Sequence, residues 1–65
     1  MKNDRVYILD RGQDSVIVRG YRNAIANAKS YCEYVHDGIV NVIDDTNTIV
    51  KRVAWLETES AVVVW

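Results

Sequence analysis

The sequence has one cysteine, one histidine, three glycines, and no proline or phenylalanine in 65 residues. Cys32 has no partner in the chain, so no disulfide framework can staple the fold. Cys32 and His36 stand alone and close together, which is too few ligands for a tetrahedral metal site. No metal and no cofactor is expected. An excess of one charge is also lacking, with eight Lys and Arg against nine Asp and Glu and a net charge of −1. That is too acidic for a dedicated duplex-DNA binder and not acidic enough to mimic DNA. The longest apolar run, Ala61 to Trp65, is five residues, whereas a membrane helix needs about 20. The apolar stretch Val6 to Leu9 is too short for the core of a signal peptide. A lone thiol without an export signal implies a cytoplasmic setting. Disorder is excluded as well, because 49% of the residues are hydrophobic and net charge is near zero.

What is present is β-branched. Eleven valines and six isoleucines face only two leucines, Leu9 and Leu56. Branching at Cβ costs side-chain freedom in a helix and suits a pleated surface, so most of the chain is predicted as sheet. Arg5 to Leu9 and Ser15 to Arg19 read as two strands of a hairpin, with Gly12 able to take positive φ between them. From Tyr21 to Val35 the period changes. Tyr21, Ala24, Ile25, Ala28, Tyr31, Cys32 and Val35 recur at three- and four-residue steps, with Arg22, Asn23, Asn27, Lys29, Ser30 and Glu33 opposite. This spacing predicts an amphipathic helix, closed by Gly38 in a left-handed cap. Ile39 to Ile43, Thr48 to Glu57 and Ala61 to Trp65 read as three further strands, the second bulged near Lys51 and Arg52. The expectation is one α+β domain over residues 1–65, in the order ββαβββ, with a largely antiparallel sheet and the helix on one face.

The strand pattern is anomalous. A half-exposed strand alternates apolar and polar residues. Here Val6 and Ile8 oppose Tyr7 and Leu9, Val16 and Val18 oppose Ile17, and Val40 and Val42 oppose Ile39 and Ile43. Both faces are apolar, and one helix can cover only one of them. Large exposed apolar patches are rare on soluble monomers, and a domain this small needs extra stabilisation. Burial of the second face against another subunit is therefore expected, with a small closed barrel as the alternative. The uncharged final strand, Ala61 to Trp65, also invites pairing with another chain.

Chemistry-bearing constellations are sparse. Ser15, Ser30 and Ser60 lack any nucleophile-elbow context, and Asp44-Asp45-Thr46-Asn47 reads as a turn rather than a carboxylate pair or calcium loop. No catalytic residue is assigned, and no enzymatic activity is expected. Cys32 reads as a small core residue and His36 as a helix cap. Arg19-Gly20-Tyr21-Arg22 lies where a strand gives way to a helix, and Arg19, Tyr21 and Arg22 could hold an anion there. With Lys51 and Arg52 this supports a nucleotide- or RNA-binding alternative. Charge is uneven, with six basic and three acidic side chains in residues 1–32, and two basic and six acidic in 33–65. Such a bipolar protomer can meet a partner through either end.

Tyr7, Tyr34, Trp55 and Trp65 are the candidate partner-binding residues, because aromatic side chains bury large areas at low entropic cost. In size and sparseness of catalytic groups the chain is similar to small accessory proteins of phages and mobile elements, which bind and block host factors. The functional expectation is a non-enzymatic, homo-oligomeric protein-interaction module, an inhibitor or accessory protein whose protein partner is unidentified.

Overall fold

The β-branched runs form strands and the three-four-spaced run forms a helix. The computed structural model describes residues 5–65. Lys2 and Asp4, counted in the basic half of the chain, lie outside the described residues. Strands β1 (Val6–Asp10) and β2 (Ser15–Arg19) make a hairpin, followed by helix α1 (Tyr21–Tyr34) and strands β3 (Ile39–Ile43), β4 (Ile49–Leu56) and β5 (Ala61–Val64). The order ββαβββ and the α+β class are as read from the sequence. The five strands form one antiparallel sheet in the order β2-β1-β3-β4-β5. β3 is the central strand. Among the described residues β2 and β5 each pair on one side only, so their sheet is open rather than the closed barrel of the alternative.

The turns follow from local hydrogen bonding. In the β1–β2 loop the Asp10 Oδ1 accepts the Gly12 amide at 3.0 Å, and Gly12 takes φ +88. Asp14 holds Arg11 by two side-chain bonds of 2.8 and 2.6 Å, and the Arg11 guanidinium lies 4.7 Å from the centre of the Tyr31 ring. The β3–β4 turn is built on Asp44. Its Oδ1 accepts the Thr46 amide at 2.9 Å, the Thr46 hydroxyl at 2.7 Å and the Thr48 amide at 3.0 Å. Asn47 takes φ +66 there, a conformation asparagine tolerates better than most residues.

The helix ends differ from the sequence expectation. Gly38 is not left-handed. The helix stops at Val35, which is extended and donates its amide to the Tyr31 carbonyl at 2.8 Å. The left-handed glycine sits at the other end. Gly20 has φ +92, donates its amide to the Arg5 carbonyl at 2.7 Å and offers its own carbonyl to the Ala24 amide at 2.9 Å. It therefore belongs to the last rung of the hairpin and the first turn of the helix at once. Only a residue without Cβ takes that backbone at little cost.

The core lies between α1 and one face of the sheet. Ala24, Ala28 and Cys32 on the helix are fully enclosed, against Tyr7, Leu9, Val40, Val42 and Val53. Small helical side chains let the helix axis come close to the strands, and the valines of the facing strands interlock with them. The Cys32 thiol donates to the Val53 carbonyl at 3.4 Å, and burial pushes its pKa up. It is a core residue.

One irregularity re-aims a side chain. Val42 pairs with Lys51 but Ile43 pairs with Ile49, so Val50 is an extra residue on β4. The bulge is one residue from the expected position. Strict alternation would put Ile49 on the same face as Lys51, Val53 and Trp55. The inserted residue carries Ile49 to the opposite face, beside Ile43.

Candidate functional site

The registers of the four pairings fix which residues share the face opposite the helix. One rank crosses four strands as Ile17, Ile8, Ile43 and Ile49. The next crosses all five as Ser15, Asp10, Asn41, Arg52 and Trp65, the last two joined by a reciprocal pair of backbone bonds at 2.8 and 2.9 Å. Beyond it lie Ile39, Ala54 and Val63, then Leu56 and Ala61. A polar rank with one aromatic end thus divides two apolar fields.

Most of this face is open to solvent, although Ala54 between its neighbours is buried. Ile17 is 71% exposed, Ile39 53%, Ile49 45% and Trp65 54%. Among the described residues no element packs over it, since α1 lies on the other side. Two shallow depressions mark it, one bordered by Ile49, Val50, Arg52 and Trp65, the other by Ile8, Asp10, Ser15 and Ile43. Among the described residues the side chains of Asp10, Asn41 and Arg52 make no bond or ion pair with one another. The carboxylate of Asp10 keeps one oxygen on the Gly12 amide.

The candidate contact aromatics do not converge. Tyr7 is enclosed beneath the helix and packs edge-on against Tyr21, with centroids 5.7 Å apart and planes at 67°. Tyr34 lies off the apolar stripe at the end of α1 and is 90% exposed. Trp55 is half-buried on the helix side, stacked on His36 at 3.8 Å with planes 4° apart. His36 donates Nε2–H to the Glu33 carbonyl at 2.8 Å, which fixes the ring over the indole. Only Trp65 lies on the open face.

The anion candidates are likewise split. Arg19 pairs with Val6 on the open face, while Tyr21 and Arg22 begin the helix on the other side. The helix start has no side-chain cap and no acidic residue in its first turn. Asn23 donates its side-chain amide to the Arg19 carbonyl at 3.1 Å and closes the corner between β2 and α1. Tyr21 is committed to its edge contact with Tyr7. Lys51 and Arg52 point to opposite faces, opposite Val42 and Asn41 respectively.

Sequence reasoning identified the second apolar face but not its members as a surface, nor the polar rank across it. Ile8, Ile17, Ile39, Ile43 and Ile49 carry the face, and alternation within each strand was the signal that could have found four of them. The polar rank depends on all four strand pairings at once, and no short motif encodes it. Among the described residues no helix is long and apolar enough to cross a membrane. Compared with known proteins, the chain matches no family model, no curated protein and no solved structure.

Proposed function

We propose that the chain is a non-enzymatic protein-interaction module that self-associates through the open face of its sheet, and that the assembled form serves as an inhibitor or accessory protein by covering a surface of another protein. One observation carries this reading: a face spanning all five strands, rich in isoleucine and closed by Trp65, has nothing packed on it among the described residues. At ~4.8 Å between strands and ~3.4 Å per residue the face measures roughly 24 by 17 Å. Leaving so much apolar surface in water is costly, and a chain this small has little core stability to offset that cost. A second copy of the same face supplies an apolar cover of matching extent.

The test is molar mass in solution by light scattering across a concentration series. The wild-type chain is expected to be oligomeric. Ile17→Lys and Ile39→Lys are expected to return it to a folded monomer, because both side chains lie outside the core. A wild-type chain that stays monomeric when concentrated overturns the reading.

A second reading, nucleotide or RNA binding, rests on the uncapped start of α1 beside Arg22, with Arg19 on the other face. Titration calorimetry with mono-, di- and cyclic nucleotides and short single strands tests it. Heat that weakens with salt and with Arg22→Ala supports it, and no heat from any of them removes it.

A further inference from the structure

Two copies stacked face to face are related by a two-fold axis lying between the sheets. In aligned packing that axis runs close to the strand direction or close to the perpendicular, and the polar rank distinguishes the two. With the axis along β3, β1 of one copy lies over β4 of the other, and β2 over β5. Because β3 is central in the order β2-β1-β3-β4-β5, this arrangement superposes the sheets fully. Asp10 sits on β1 and Arg52 on β4, each directly beside Asn41 of β3. The same rotation therefore sets Asp10 against the other copy's Arg52, twice, and brings the two Asn41 amides together on the axis. An amide carries both donor and acceptor and can pair with its own copy. With the axis across the strands, each strand lies over its own counterpart. Where that axis passes through the polar rank, Asp10 meets Asp10 and Arg52 meets Arg52, two like-charge contacts in a region closed to water; where it passes elsewhere, the charges are set against the isoleucine fields.

From this we propose that the chain forms a two-fold dimer with the axis parallel to β3, in which reciprocal Asp10–Arg52 pairs flank an Asn41–Asn41 contact between two isoleucine fields. The inference rests on the interaction reading above and adds the partner and its orientation. Aligned sheets cross at about 30°, so register is closest near the axis, where Ile43 and Ile39 each face their own copies. Asp10 and Arg52 stand one strand, ~4.8 Å, from that axis. The charged rank also opposes a lateral slip that would bury either charge against isoleucine.

Dimer dissociation constants by sedimentation equilibrium, with circular dichroism as a check on the fold, test the orientation. Arg52→Gln and Asp10→Asn are each expected to weaken the dimer at least about tenfold, since each removes both copies of the pair. Asp10→Asn keeps an oxygen for the Gly12 amide, so the hairpin is undisturbed. The double variant is expected to be no weaker than the worse single, as required of residues acting through one contact. Tighter dimers from either neutral substitution put the axis across the strands and overturn the proposal. Unchanged affinity in a dimer that Ile39→Lys still breaks places the rank outside the contact, overturning the orientation while the interaction reading stands. A monomeric wild-type chain overturns both.

Discussion

The two faces of this sheet are both apolar, yet they are made of different residues. The face under the helix is richest in valine, with Val16, Val18, Val40, Val42, Val53, Val62 and Val64, together with Tyr7, Leu9, Lys51 and Trp55. The open face is built from isoleucine, and five of the six in the chain lie there: Ile8, Ile17, Ile39, Ile43 and Ile49. The covered face meets Ala24, Ala28 and Cys32 of a closely approaching helix, so space is short and the smaller branched residue fits. Among the described residues the open face has no such neighbour, and it carries the larger side chain. A surface tuned only for water has no reason to hold the bulkier apolar residue, whereas an interface gains by each added methylene, about 0.8 kcal/mol when buried.

The largest expected effect separates the faces directly. Leu9 is 2% exposed beneath the helix and Ile17 is 71% exposed on the other side, although they lie on adjacent strands. Leu9→Ala is expected to lower stability by about 2–4 kcal/mol in urea denaturation, because it removes a core side chain and leaves a void. For so small a domain that approaches the whole of its stability. Ile17→Ala is expected to change the stability of the isolated fold by less than about 0.5 kcal/mol and to act on self-association instead. A large loss of fold stability from Ile17→Ala, measured where no oligomer is present, would break the comparison.

The contrast also explains what was legible in the sequence. Element order was readable because short runs of β-branched residues give way at Gly20 to a three- and four-residue spacing and resume after Gly38, so glycine marks both changes. That each strand has two apolar sides was readable by alternation. Which side the helix covers was not, because alternation cannot rank two apolar faces. Tyr7 shows the consequence. As an aromatic on a strand it read as a contact residue, but it shares its side with Leu9 and lies under the helix. The pairing of β1 with β3 across the intervening helix is a long-range event that no local pattern states. Strict alternation puts Ile49 on the wrong face because the bulge inverts it, and the bulge falls at Val50, one residue before the Lys51-Arg52 position the sequence suggests. The polar rank from Ser15 to Trp65 needs every register to be known before its five members line up.

The smallest expected effect lies at neither face, in the turn that joins β3 to β4 just before the bulge. The Thr46 hydroxyl, and then the Thr48 amide, hold the Asp44 carboxyl below the usual carboxylate range, with Arg5 adding a little in the same direction. A carboxylate with a lowered pKa in the folded chain contributes stability that is present above its unfolded pKa. That contribution is lost as pH falls through the folded value. The urea midpoint of the wild-type chain is therefore expected to drop as pH is lowered below the ordinary carboxylate range. Asp14, lowered by its bond to Arg11, adds to the same acid loss from the other hairpin. In Asp44→Asn the side-chain oxygen remains to accept from the turn, but the charge does not. The variant is expected to begin slightly less stable at neutral pH and to lose less on acidification. Since Asp44 lies off both faces, self-association at neutral pH is expected to be unchanged in this variant. An Asp44→Asn chain that folds normally but fails to associate would tie the turn to the open face, through Val50 and the placement of Ile49 beside Ile43.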